Sequence, residues 1–104
     1  MIQFGYWKIR GLGGAARLML AYCGEEYTDR LYDFKRVDGA HAGSYAEWDP
    51  SDWFDEKNSD HFQETFAFPN LPYLIDGDVK LTQSTAIVKY LARLSSLAKF
   101  LFKL

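Results

Sequence analysis

Residues 68–91 read FPNLPYLIDGDVKLTQSTAIVKYL and carry the strongest structural signals in the chain. The apolar runs YLI and VKL flank the turn Asp76-Gly77-Asp78, and an Asp-Gly turn between such runs predicts a β-hairpin. Ser84 follows as a candidate N-cap residue. Beyond it, apolar side chains recur at the spacing of one helix face: Ile87, Tyr90, Leu91 and Leu94. The stretch therefore predicts two antiparallel strands and a helix.

The first third of the chain predicts a strand, a helix and a second strand. Ile2, Phe4 and Tyr6 alternate with other residues at the period of a strand, and the glycines from Gly11 onward interrupt it. The stretch Tyr27–Phe34 predicts the second strand, which is expected to lie parallel to the first because a helix separates them. The predicted helix has one apolar face and ends at Gly24; the residues of that face are Ala15, Leu18, Met19 and Tyr22.

The middle of the chain is acidic, since residues 37–64 carry eight acidic side chains and a single lysine. It shows no period through Trp48 and is predicted to be a solvated loop. Asp49 is then expected to cap a short helix over residues 50–57, with Pro50 at its first position. The whole order is β-α-β-α-β-β-α, which predicts an α/β fold with a four-stranded mixed sheet, the thioredoxin-like arrangement.

Composition excludes several classes of function. A chain of 104 residues and 12.0 kDa forms one domain, and its net charge of −2 disfavours nucleic-acid and membrane-surface binding. The longest uncharged run, residues 65–75, is too short to span a membrane. Cys23 has no partner cysteine, and His41 and His61 lack metal-ligand spacing, so no disulfide and no metal site are expected. With no signal-peptide pattern at residues 1–10, a cytoplasmic location is predicted.

Two loops at strand ends are candidates for ligand binding. Tyr6 and Trp7 end the first strand, where α/β sheets bind ligands, and a phenol there can donate to an anion such as a thiolate. The alternative is that both rings only pack in the core. In the second loop, a cis Leu71–Pro72 bond would let Leu71 present its N–H and C=O to an extended peptide. The alternative is a rigid turn without a ligand.

Two helix positions offer groups that bind carboxylates. The N–H groups at the start of the last helix, with Gln83 and Ser84, favour a carboxylate, although Ser84 as a plain N-cap is the commoner case. Trp53 and Lys57 lie four residues apart on the short helix and offer an indole N–H and an ammonium. The alternative is a packed tryptophan beside an exposed lysine.

Three stretches in this order, beginning at Gly5, Phe68 and Leu81, resemble the N-terminal domain of mu-class glutathione S-transferases: GYWKIRGL, FPNLPYLIDG and LTQSTAIVKYLAR. The resemblance implies a thioredoxin-like, glutathione-binding domain over residues 1–93. It implies glutathione as co-substrate, a small electrophile as second substrate, and no further cofactor. Residues 94–104 are expected to be an apolar tail, where the family continues into an all-helical second domain.

The resemblance also implies roles for particular residues. Tyr6 would stabilise the glutathione thiolate for attack on the electrophile. The implied binding residues are Trp7, Trp53 and Lys57 at the glycyl end of glutathione, Asn70, Leu71 and a cis Pro72 at its cysteinyl unit, Gln83 and Ser84 at its γ-glutamyl carboxylate, and Leu12 beside the second substrate.

The sequence departs from the family at two places that bear on function. Pro50 stands where an arginine is expected to contact the glycyl carboxylate. Phe68 aligns with the aromatic residue that inserts into the partner in family homodimers, and without the second domain that dimer is disfavoured. Three interpretations follow: a glutathione transferase, a non-catalytic glutathione-binding or interaction module, and a truncated product without an electrophile site.

Overall fold

The structure is a computed structural model that describes residues 1–94. Its regular elements, in chain order, are β1 (Ile2–Trp7), α1 (Gly14–Tyr22), β2 (Tyr27–Tyr32), β3 (Lys35–Arg36), β4 (Trp48–Asp49), α2 (Ser51–Lys57), α3 (Asp60–Thr65), β5 (Tyr73–Asp76), β6 (Val79–Thr82) and α4 (Ser84–Leu94). A 3₁₀ turn over Gly11–Gly13 leads into α1, and another over Tyr45–Glu47 precedes β4.

The main sheet has four strands in the order β2-β1-β5-β6. β1 pairs parallel with β2 and antiparallel with β5, and β5 and β6 form the hairpin. This confirms the predicted four-stranded mixed sheet. In the register, Gly5 pairs with Tyr73 and Tyr73 pairs with Thr82. The neighbouring residues Tyr6, Pro72 and Gln83 therefore come at one end of the sheet.

The two faces of β1 belong to different layers of the core. Phe4 and Tyr6 are buried on the side of α1, whose Arg17 lies over both rings. Gly5 lies against Tyr73 so closely that a Cβ on Gly5 would be 2.2 Å from the Tyr73 ring. Around Tyr73, on the side of α2 and α3, is an aromatic cluster formed by Tyr32, Trp53, Phe62, Phe66 and Tyr73.

The predicted buried face of α1 is wrong. Leu18 and Tyr22 are 73% and 79% exposed, Ala15 is exposed, and the helix buries Ala16 and Leu20 instead. The buried stripe keeps its helical spacing but lies one residue further along the chain, and Met19 of the predicted face is partly buried against the core. Arg17, next to Ala16, donates to carbonyls at the end of β1, so this side of the helix faces the sheet. Because the exposed residues Leu18 and Tyr22 are apolar and helically spaced, the spacing alone indicated a buried face at the wrong positions.

The predicted helix starts are also corrected. α2 begins at Ser51, so Pro50 is the residue before the helix, and Asp49 Oδ1 accepts a hydrogen bond from the Ser51 N–H at 2.9 Å. Ser84 is the first residue of α4 rather than its N-cap. Gln83 precedes it with φ of +76°, because the chain turns from β6 into α4 within one residue.

The acidic segment contains more structure than the predicted loop. β3 and β4 form a short antiparallel ladder, and α3 begins after Ser59, whose Oγ accepts a hydrogen bond from the Phe62 N–H. β2 ends at Tyr32, two residues before the predicted Phe34, because the Asp33 N–H turns to the Asp52 carboxylate. The domain boundary at residue 93 stays a prediction. The predicted tail starts at Leu94, the last residue of α4, and the rest lies outside the described residues.

Candidate functional site

Tyr6 lies at the end of β1 inside the turn formed by the glycines that follow. Its hydroxyl oxygen accepts a hydrogen bond from the Leu12 N–H at 3.0 Å, and the residue is only 6% exposed. A Cβ on Gly11 would lie 2.5 Å from the Tyr6 oxygen, and one on Gly13 would lie 2.5 Å from its ring. Because a phenol both donates and accepts, the bond from Leu12 leaves the phenolic hydrogen available to another group.

A groove of about 430 Å³ runs from this turn to the start of α4. Its lining includes Leu12 and Ala15 from the first side and Ser84 and Val88 from the second. Tyr6 does not line this groove itself, but its hydroxyl oxygen is bonded to the N–H of Leu12, which does. Gln83 is exposed at the same end of the sheet.

The loop before β5 contains the cis Leu71–Pro72 bond that the sequence analysis considered. Pro72 is fully buried, and Leu71 is 8% exposed. The Leu71 N–H donates to Oδ1 of Asn70 at 2.9 Å, while Asn70 itself is exposed. In this structure, therefore, the Leu71 N–H that was expected to bond to an extended peptide is already bonded to the Asn70 side chain.

The predicted tryptophans have different surroundings. Trp7 is half-buried and stacks on Phe34, with ring centroids 4.1 Å apart. A second groove of about 380 Å³ lies beside this pair and is lined by Asp33, Phe34 and Trp48. The sequence analysis selected neither residue for binding: Phe34 was the end of the predicted second strand, and Trp48 lies in the segment without a regular pattern.

Trp53 belongs to the aromatic cluster of the core. It is 3% exposed and stacks on Tyr73, with ring centroids 6.1 Å apart. Lys57, one turn later in α2, is half-buried, and its Nζ lies 5.6 Å from the centroid of the Phe54 ring. Neither residue lines the groove between Leu12 and Ser84. Any contact of this pair with a ligand must therefore come from the α2 side of the sheet end.

A charged contact that the sequence analysis missed holds α2 against β2. The Arg30 guanidinium lies 3.9 Å from the Tyr32 ring centroid and bonds to Asp52 at 3.2 Å and Glu56 at 3.1 Å. The pKa of Asp52 is lowered, first by the hydrogen bond from the Asp33 N–H and then by Arg30. No sequence spacing links Arg30 to α2, because the pairing depends on how the crossover returns to the sheet.

Within residues 1–94, the structure contains no group of three or more histidine, cysteine, aspartate or glutamate side chains arranged to hold a metal ion. Across the same described range, no helix combines the length and apolar character needed to cross a membrane.

The element order, the mixed sheet and the buried cis-proline loop define a thioredoxin-like α/β domain. The family described as "Glutathione S-transferase, N-terminal domain" matches residues 39–93, more than half of the chain. The chain therefore belongs to the glutathione S-transferase N-terminal domain family.

The curated relatives include mu-class enzymes. The chain is 50% identical over 93 residues to glutathione S-transferase 2 of *Gallus gallus* and 50% identical over 90 residues to the class-mu 26 kDa isozyme of *Schistosoma mansoni*. These matches cover 89% and 86% of this chain but 37% of each relative. The chain thus spans little more than a third of the length of these relatives.

Solved structures confirm the fold. A glutathione S-transferase of the nematode *C. elegans* matches with a TM-score of 0.66 and 27% identity, over 92% of this chain and 37% of that one. A rat hPGDS complexed with a quinoline matches with a TM-score of 0.59 and 26% identity, over 93% of this chain and 38% of that one.

Proposed function

We propose that this chain binds glutathione at the end of β1 and that Tyr6 stabilises the thiolate. The observation that carries the proposal is the hydrogen bond from the Leu12 N–H to the Tyr6 oxygen at 3.0 Å. It fixes the buried phenol inside the turn while the phenolic hydrogen stays available to a sulfur anion. The phenol is therefore held in its position without a bound ligand.

One hydrogen bond is large enough for this task. A free thiol has a pKa of about 8.5, and lowering it by about 2 units requires about 2.7 kcal/mol of preferential stabilisation of the anion. A hydrogen bond to a charged group contributes about 1.5–3 kcal/mol. The low exposure of Tyr6 favours the upper part of that range, because water competes poorly there.

The remaining contacts are proposed from the resemblance to the family. Ser84, at the start of the eleven-residue helix α4, would receive the γ-glutamyl carboxylate together with Gln83. Asn70, Leu71 and Pro72 would bind the cysteinyl unit. For the Leu71 N–H to bond to glutathione, the Asn70 side chain must first release it. The other proposed contacts are Trp7, Trp53 and Lys57 at the glycyl end and Leu12 beside the second substrate.

The proposed reaction is conjugation. The thiolate sulfur forms a bond to an electrophilic carbon, and the leaving group departs with the electron pair of the broken bond. Glutathione is the co-substrate in this proposal, which includes no metal or other cofactor. A cytoplasmic location belongs to the same proposal and is tested by fractionation. The family homodimer, which the sequence analysis disfavours, is not part of this proposal, although Phe68 is 82% exposed.

A specific observation favours a second candidate, a glutathione-binding module without turnover. Leu18 and Tyr22 are 73% and 79% exposed and present an apolar surface on α1 that a partner could cover. A module of this kind would bind glutathione without reacting. The truncated product with no independent function is the third outcome of the test.

The test measures retention on glutathione-agarose and turnover of glutathione with chlorodinitrobenzene. The transferase proposal expects retention and turnover, with Tyr6→Phe retained but at least about tenfold slower. Tyr22→Phe is the matched control, because Tyr22 is 79% exposed on α1, and it should behave as the wild type. Retention without turnover supports the binding module, and a folded chain that is not retained overturns both.

A further inference from the structure

Arg17 of α1 holds the backbone that follows Tyr6. Its guanidinium donates to the Ile9 carbonyl at 2.9 Å and to the Trp7 carbonyl at 3.2 and 3.3 Å. These carbonyls lie at the end of β1 and in the turn that wraps Tyr6. A planar guanidinium can serve both at once because its donors are held in a fixed fork.

The same guanidinium faces the Tyr6 ring. Its central carbon lies 5.7 Å from the ring centroid of Tyr6 and 5.5 Å from that of Phe4. A cation at this distance from an aromatic face is attracted to it. An ion pair with Asp29 of β2, at 3.3 Å, holds Arg17 in this place.

Tyr6 is therefore constrained from two directions. The Leu12 N–H holds its oxygen, and Arg17 holds its ring face and the carbonyls of the turn. Removing Arg17 takes the guanidinium donor from the Ile9 carbonyl and from the Trp7 carbonyl, which also accepts from the Ile9 N–H at 2.8 Å, and loosens the turn that carries Leu12. No pattern in the sequence indicated this, because an arginine within an amphipathic helix ordinarily indicates only a solvated face.

We infer that Arg17 is a positioning residue for Tyr6, an inference that rests on the proposed function for its effect on glutathione. Arg17 keeps the phenol directed at the sulfur, and its charge makes the phenol a stronger donor to an anion. The other charged groups near the site are Asp29 on β2, Lys89 beside Ser84 in the groove, and Arg10 in the turn. Asp29 offsets part of the charge of Arg17.

The test compares Arg17→Met, Arg17→Lys and the control Arg36→Met. Arg36 also forms an ion pair, with Glu47 at 3.3 Å, but in the β3–β4 ladder. The first measurement is the pKa of the bound glutathione thiol, followed through the ultraviolet absorbance of the thiolate. Arg17→Met should raise it by about half a unit, so that the thiolate fraction at pH 7 falls from about three quarters to about one half. The dissociation constant, measured at about pH 6 where the bound thiol is mostly protonated in both proteins, should change less than about twofold, since Arg17 does not contact glutathione in the proposal.

The second measurement needs no ligand. Hydrogen exchange of the Leu12 amide should become about tenfold faster in Arg17→Met, while the amides of β5 keep their protection. Arg17→Lys keeps the charge but loses the fork, so its exchange should lie between those of Arg17→Met and the wild type. Arg36→Met should leave both measurements unchanged.

Unchanged thiol pKa and unchanged Leu12 exchange in Arg17→Met would overturn the inference. Equal changes in all β5 amides would also overturn it, because they indicate general destabilisation. A wild-type chain that does not bind glutathione refutes the proposed function, and the Leu12 exchange then decides the role of Arg17 alone. If Arg17→Met does not fold, the same comparison with Arg17→Lys decides, and wild-type exchange in that variant counts against the inference.

Discussion

Two neighbouring glycines should respond to alanine with opposite signs. Gly13 is buried, and a Cβ there would lie 2.5 Å from Cδ2 and 2.8 Å from Cγ of Tyr6. Gly14 begins α1, and the nearest atom to its Cβ would be Cβ of Arg10 at 3.6 Å, an ordinary contact. Both have negative φ, so alanine meets no backbone strain at either position.

The expected magnitudes follow from these distances. At Gly14, alanine should stabilise the domain by about 0.4–1 kcal/mol, because it restricts the unfolded chain and favours the helix. At Gly13 the same gain is outweighed by overpacking, which costs about 1–3 kcal/mol. Tyr6 cannot move away easily, since it is 6% exposed and its strand is paired on both sides. The net loss for Gly13→Ala should be about 1–2 kcal/mol.

Urea unfolding followed by tryptophan fluorescence measures both effects. With a slope of about 1–3 kcal/mol per molar urea, the midpoint should fall by roughly 1 M for Gly13→Ala and rise slightly for Gly14→Ala. Gly13→Ala should also shift the amide resonance of Leu12, because its partner Tyr6 is displaced. A Gly13→Ala variant as stable as the wild type would refute the close packing of the turn against Tyr6.

Two further predictions concern the dependence of stability on pH. The lowered pKa of Asp52 means that its contribution is present above about pH 4 and is lost as the pH falls through the folded value. Asp52→Asn should lower the free energy of unfolding by about 1 kcal/mol at neutral pH, because it weakens the hydrogen bond from the Asp33 N–H, and should reduce the loss of stability at acid pH. The control Asp55→Asn, at an exposed position, should show neither effect in the same unfolding measurements. The Tyr90 hydroxyl donates a hydrogen bond to the Asp76 carboxylate, and this bond raises the pKa of Tyr90 to about 12. The stability that Tyr90 contributes is therefore present below about pH 10 and is lost as the pH rises further. Tyr90→Phe should cost about 1 kcal/mol or less at neutral pH and remove this alkaline loss; an unchanged alkaline limb would count against the contact.

The sequence was sufficient for the four strands of the main sheet, including the hairpin, because their signals are local, whereas the short β3–β4 ladder was not predicted. Alternation marks β1, the Asp-Gly turn marks β5 and β6, and Gly24 ends α1 with φ of +69°. The buried face of α1 could not be predicted in the same way. Leu18 and Tyr22 are as hydrophobic as core residues but are exposed. Only the packing of the helix on the sheet determines which apolar residues of α1 are buried.

In the candidate site, likewise, the sequence identified the residues that belong to local motifs and missed those that act through contacts between distant elements. Tyr6, Leu12 and Ser84 were selected by motif. Leu12 and Ser84 line one groove, and Tyr6 is bonded to Leu12 beside it, because the register of β1, β5 and β6 brings their strand ends together. Arg17 and Arg30 were not selected. Each acts through contacts between elements that are distant in the sequence, and an arginine in a helix or at a strand edge ordinarily indicates only a solvated surface.

The position of Tyr6 is a consequence of how β1 is packed rather than of any ligand. Two glycines bring aromatic rings into close contact with the backbone around it: Gly5 against Tyr73 on one face and Gly13 against Tyr6 on the other. A strand held at such short distances on both faces has little room to shift, because protein interiors are bistable or rigid rather than continuously deformable. The conformational cost of placing the phenol is therefore met during folding. A ligand that requires this phenol meets a group already in place, so its affinity need not include that cost.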